Sequence, residues 1–223
     1  MLAQITTSTS VFFILTTLIS IFIFYKASGN SKKLLFVILA WMLVQGIISY
    51  NGFYTNTSLV PPRFSLMIAP ALLLISLCFK SNKGKKFIDQ FDMKLLLWLH
   101  VVRIPVELIL YQLYLEKTIP ELMTFAGINF DILAGITAPI MYYFVYVKKQ
   151  IGRKVLLLWN VLCFLLLMNI IINAILSVPS VIQLQAFDQP NIAILHFPIV
   201  WLPSIVVVLV MFAHFIAFRR LRS

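Results

Sequence analysis

Charge is scarce in this sequence. Only 11% of the 223 residues are charged, and seven of them are acidic. A soluble globular domain carries about 25% charged residues, so an ordinary water-soluble domain is excluded. Glycine is sparse too, at seven residues, and no GxxxxGK[ST] phosphate loop is present. The two cysteines, Cys78 and Cys163, lie inside apolar runs with no pairing or metal-type spacing, so they read as small packing residues. HExxH, CxxC and GxSxG are absent, which removes the common hydrolase and redox signatures. No internal repeat is visible, which argues against an inverted-repeat transporter.

Apolar residues make up 61% of the chain, and they are grouped. Seven apolar segments stand out: Ser8–Tyr25, Leu34–Tyr50, Phe64–Phe79, Leu95–Tyr114, Phe130–Val147, Val155–Leu176 and Ile194–Phe218. Crossing ~30 Å of hydrocarbon at 1.5 Å per residue takes about 20 residues. The third segment is short, and the preceding "LVPP" is expected to extend it. No Lys or Arg precedes Val11–Tyr25, so that stretch reads as a first transmembrane helix rather than a signal peptide. The expectation is an all-α, seven-helix bundle forming one integral membrane domain over residues 1–223.

The basic residues give it a direction. Lys26, Lys32 and Lys33 follow the first segment, and Lys80, Lys83, Lys85, Lys86 and Lys94 follow the third. Lys148, Lys149, Arg153 and Lys154 follow the fifth, and Arg219, Arg220 and Arg222 follow the seventh. The alternate connections hold only Arg63 and Lys117. The positive-inside rule then puts the amino terminus outside and the carboxyl terminus in the cytoplasm, in a cytoplasmic-type (inner) membrane. The net charge of +11 is therefore a topology signal and not a nucleic-acid surface. The expected surroundings are membrane lipids, and the oligomeric state is open. The less polar connections "NGFYTNTSLVPPR", "LEKTIPELMTFAGIN" and "SVPSVIQLQAFDQPN" are expected to lie at the outer surface and cover the bundle.

The fourth segment contains "LWLHVVRIPVELILYQLY". At 100° per residue, His100, Arg103 and Glu107 fall within about 60° of one another, and Tyr111 and Tyr114 extend the stripe. Arg near the bilayer centre costs about 2.5–3.5 kcal/mol, and a charged Glu something similar. Twelve aliphatic residues between Leu95 and Leu113 return roughly 4–7 kcal/mol. The polar face therefore needs partners inside the bundle. Pro105 leaves the Val101 carbonyl without its helical donor, so a kink is expected there. Arg103 and Glu107, spaced i, i+4, can also form a local ion pair.

Depth along the other segments suggests an outer cluster of Glu107, Tyr111, Asp131, Asn169, Asn173 and His196, with Gln45 near it. Asp131 can alternatively cap the fifth helix, and Asn169 and Asn173 can serve as interhelical hydrogen-bond glue. The expected activity is binding of a small polar, anionic or lipid-head-group ligand, for transport or sensing. Arg103 would hold an anion, Glu107 would balance it or exchange a proton, and His100 and His196 would supply switchable hydrogen bonds. Two further readings are an intramembrane lipid hydrolase with zinc on His196 and Asp131 and a structural or partner-binding subunit without catalysis. The HxxxH pair of the seven-helix zinc hydrolases is absent, since His196 and His214 are the histidines of the last segment. Eighteen residues apart, they would share one helix face. Level histidines on two helices, His100 and His214, are the candidate haem ligands. Retinal is excluded because Ile194–Phe218 contains no lysine for a Schiff base.

Overall fold

A computed structural model describes residues 2–222, and no strand occurs among them. The helices are α1 (Thr7–Ala27), α2 (Lys32–Tyr50), α3 (Ala69–Lys80), α4 (Asn82–Ile88), α5 (Met93–Leu99), α6 (Arg103–Leu115), α7 (Ile132–Tyr142), α8 (Arg153–Leu176) and α9 (Val207–Arg222). Polar residues set their starts. The side chains of Thr6, Ser31 and Asp92 accept from the first free N–H groups of α1, α2 and α5, as helix N-caps do. Among the described residues, α1, α2, α8 and the continuous stretch Leu202–Arg222 are long and apolar enough to cross a membrane.

Four of the seven apolar segments are not single α-helices. "LVPP" does not extend the third: a 3₁₀ turn at Arg63–Met67 precedes α3. The fifth ends in a π-helical turn at Tyr143–Val147, just after Pro139. The seventh begins with a 3₁₀ turn at Ala193–Leu195, bends at His196, and becomes helical through a π turn at Leu202–Val206. His196 and His214 therefore do not share one helix face. The fourth is interrupted by a 3₁₀ turn at His100–Val102, so Pro105 lies in the first turn of α6. In that turn the Arg103 N–H bonds back to the His100 carbonyl. The missing proline donor is absorbed by tightening the helix, a common alternative to an open kink.

The stretch Leu202–Arg222 forms the central post, with 78% of its apolar window buried, against 17% for α2. Helix α1 packs on α5 and α6 through a face of Thr9, Ser10, Thr16, Thr17 and Ser20. The hydroxyls of Thr16, Thr17 and Ser20 donate to carbonyls one turn back in their own helix. These small side chains let the helices approach closely while leaving no donor unsatisfied. Helix α2 is held by two reciprocal indole bonds. Trp41 Nε1 donates to the Ser204 carbonyl at 3.2 Å, and Trp201 Nε1 to the Met42 carbonyl at 2.9 Å.

The basic connections meet at one end of the bundle. The Asp92 N–H donates to the Ala27 carbonyl at 2.8 Å, Arg219 forks onto both Asp89 oxygens at 2.9 Å, and Arg153 donates to the Leu221 carbonyl at 2.6 Å. The Arg219 fork holds the exposed Asp89 carboxyl below its usual range. At the opposite end the long connections fold inward and bond to one another. Thr118 accepts from Ile192 and Ala193, Ser177 from Asn191, and Leu195 from the Ser49 hydroxyl at 3.0 Å.

Replacing Trp41 or Trp201 by Phe is expected to cost roughly 0.6–2 kcal/mol each, the range for interhelical hydrogen bonds in apolar surroundings. Reversible unfolding in mixed micelles measures it. The two losses should not be additive, since both bonds hold the same crossing.

Candidate ligand-binding site

The site grows from a buried charge. Arg103 begins α6 and is 2% exposed. Its Nε lies 3.1 Å from Asp131 Oδ2, and its Nη2 donates to the Cys163 carbonyl of α8 at 3.1 Å. Asp131 occupies the N-cap position of α7, yet its side chain makes no cap hydrogen bond. It faces Arg103 instead, because a buried guanidinium without a counter-charge costs several kcal/mol. Gly135, one turn further along α7, makes the approach possible. A Cβ there would sit 2.8 Å from Ile104 Cγ1 and 3.1 Å from the Ile104 nitrogen.

Glu107, one turn beyond Arg103, is 1% exposed and does not form the i, i+4 pair with it. Asn129 Nδ2 donates to Glu107 Oε1 at 2.5 Å and to the Met123 carbonyl at 3.0 Å. The Asn129 Oδ1 accepts the Asp131 N–H at 3.1 Å. One asparagine thus ties the Glu107 carboxylate to the Asp131 backbone at the start of α7. Gly127 shapes its loop, where a Cβ would come within 2.5 Å of the Glu121 carbonyl oxygen.

Arg103, Glu107 and Asp131 line one wall of a cavity of about 80 Å³. A single water needs about 10–15 Å³ by this kind of measure, so there is room for several waters or a short ligand chain. The remaining wall is apolar, with Leu167, Ile170 and Ile171 from α8 and Val206, Val207 and Val210 from the last stretch. Besides Arg103 Nε, which makes the ion-pair contact with Asp131, three buried polar atoms of the charged groups have no hydrogen-bond partner among the described residues: Arg103 Nη1, Glu107 Oε2 and Asp131 Oδ1. The cavity combines one free donor and two free acceptors with a hydrocarbon-like wall.

The histidines lie elsewhere. His100 and His214 are 2% and 0% exposed, and their ring centroids are 4.5 Å apart. The two rings are in direct contact. His214 Nδ1 lies 2.8 Å from Asn160 Oδ1, and Asn160 Nδ2 donates to the His214 carbonyl at 3.3 Å. His100 lines a separate cavity of about 20 Å³ with Tyr146, Trp159 and Asn160, so the 3₁₀ turn has split the predicted stripe. His196 lines a third, superficial pocket with Thr55 and Thr57. It therefore does not join Asp131, and among the described residues no three His, Cys, Asp or Glu side chains form a metal-type group.

Of the expected cluster, the structure brings together Arg103, Glu107 and Asp131. Tyr111 stacks on Phe125 at 4.9 Å outside the cavity. Asn169 donates to the Ile128 carbonyl, Asn173 to Asn169, and Gln185 to Asn173, so these two asparagines fasten connections. Gln45 is buried and accepts from the Tyr54 hydroxyl at 2.7 Å. Sequence reasoning missed Asn129, Asn160 and the Cys163 carbonyl. Asn160 carried a signal, being one of three polar side chains within the apolar run 155–176. The carbonyl carried none.

Fold and site define an all-helical protein with a charged cavity buried among helices of bilayer-spanning length. The chain belongs to the family described as Domain of unknown function (DUF8737), whose model matches residues 62–222. The matched region contains every residue of the Arg103–Asp131–Glu107–Asn129 group and excludes α1 and α2. No curated protein and no solved structure matches the chain.

Arg103→Gln or Asp131→Asn alone is expected to destabilise by about 3–5 kcal/mol, because each strands a buried charge. The double variant should lose clearly less than the sum in the same unfolding assay.

Proposed function

We propose that this protein is a multi-pass membrane protein of the cytoplasmic membrane that binds a small amphiphile in the Arg103–Glu107–Asp131 cavity, for transport or sensing. The polar end of the ligand meets the three free polar atoms, and its apolar part lies along Ile170, Ile171 and Val207. One observation carries this reading: fully buried charged groups with unpartnered atoms face an otherwise apolar cavity. Buried polar atoms are nearly always satisfied, and ionisable groups inside a bundle usually have a task.

The proposed topology is seven crossings with the amino terminus outside. The gathering of the basic connections at one end supports it, as does the mutual bonding of the long connections at the other. The two ends differ in charge as the positive-inside rule requires. The interruptions in the third, fifth and seventh segments do not prevent crossing, since irregular backbone is tolerated where protein covers it.

Hexanol is expected to raise the thermal midpoint of the purified protein in a concentration-dependent way, as any ligand of the native state does. Ala174→Phe, which fills the cavity from α8, should abolish the shift; a shift retained in that variant would place the binding elsewhere. For topology, Ser58→Cys in a Cys78→Ser background should react with an impermeant maleimide in intact cells. Lys83→Cys in the same background should react only after permeabilisation, and the reverse pattern would invert the assignment.

A further inference from the structure

The cavity group is unbalanced. Arg103 is matched by Asp131 at 3.1 Å. Among the described residues Glu107 has no cationic partner within ion-pair distance, and its one hydrogen bond comes from a neutral amide. Two carboxylates facing one guanidinium leave a single negative charge, buried, with Oε2 free. Such a charge is neutralised either by a proton or by a bound cation. The apolar residues that close the rest of the cavity supply no cation.

Resting on the ligand-binding reading above, we infer that the polar end of the ligand is a monovalent ammonium group, and that it binds in exchange for a proton carried on Glu107 Oε2. In the empty cavity the proton sits on Oε2 and the group is neutral. On binding, the Oε2–H bond breaks and the proton passes to solvent water. The ammonium N–H groups then donate to Glu107 Oε2 and Asp131 Oδ1. An ammonium carries three donors and no acceptor, which suits the two free carboxylate oxygens. An anion is disfavoured: the free Arg103 Nη1 donor could meet it, but Asp131 already offsets the guanidinium charge and Glu107 would repel it. The groups that face Glu107 are Arg103 on its own helix, Asp131 at the start of α7 and Asn129 in the connection before it. From α8 and Leu202–Arg222 the cavity lining is entirely aliphatic.

The test is calorimetry of the full chain in lipid nanodiscs with hexylamine, hexanol and hexanoate, using empty nanodiscs as blanks and two buffers of different ionisation heat. Hexylammonium is expected to bind at least tenfold more tightly than hexanol, with about one proton released per ligand. Its affinity should rise with pH by up to about tenfold per unit, because ligand and proton compete for one carboxylate. Glu107→Gln should lose both the proton release and the preference for the amine. Equal binding of all three probes, tighter binding of hexanoate, or amine binding without proton release would overturn the exchange and leave the cavity reading standing. No binding of any probe would remove the cavity reading and this inference with it.

Discussion

The structure depends on keeping one guanidinium out of water. Arg103 is 2% exposed, so its charge must be met from within. Asp131 meets the charge from the start of α7, and the Cys163 carbonyl meets a donor from α8. Three elements far apart in sequence are thereby fixed to one point. The absence of a side chain at Gly135 lets α7 come close enough to α6 for the pair to form. A residue that would be a liability on an isolated helix becomes the point about which the helices are arranged.

The bonds around this point divide into two kinds. At the two ends of the bundle they join connections to one another, as in the Asp89–Arg219 fork and the Thr118–Ile192 contact. Within the apolar middle they are few and mostly go to backbone carbonyls, as with the two indoles of Trp41 and Trp201. In apolar surroundings an unmet donor has no water to fall back on. Unmet atoms also occur at His100 and His214, but those at Arg103, Glu107 and Asp131 belong to charged groups gathered on one cavity.

His100 and His214 form a second buried polar pair, separated from the first group by the 3₁₀ turn. On a regular helix His100, Arg103 and Glu107 would share a stripe and serve one site. The turn directs His100 toward the small cavity beside Trp159, while Arg103 and Glu107 face the larger one. The nearby proline, with no N–H to give, makes a regular α-turn there less favourable.

Composition and spacing by themselves determined the helical class, the apolar segments, and the pairing of basic connections at one end. These follow from local chemistry: hydrocarbon demands internally bonded backbone, and charge gathers where water is. Arg103, Glu107 and Asp131 stood out as candidates for the same reason, since ionisable groups inside apolar runs are conspicuous. Only the tertiary structure decided that Arg103 pairs with Asp131 rather than with Glu107, that Asn129 links the Glu107 carboxylate to the Asp131 backbone, and that His196 and Tyr111 lie outside the cavity. Those outcomes depend on how close two helices can come and on which carbonyl is within reach, and neither distance is written in the spacing of residues along one helix.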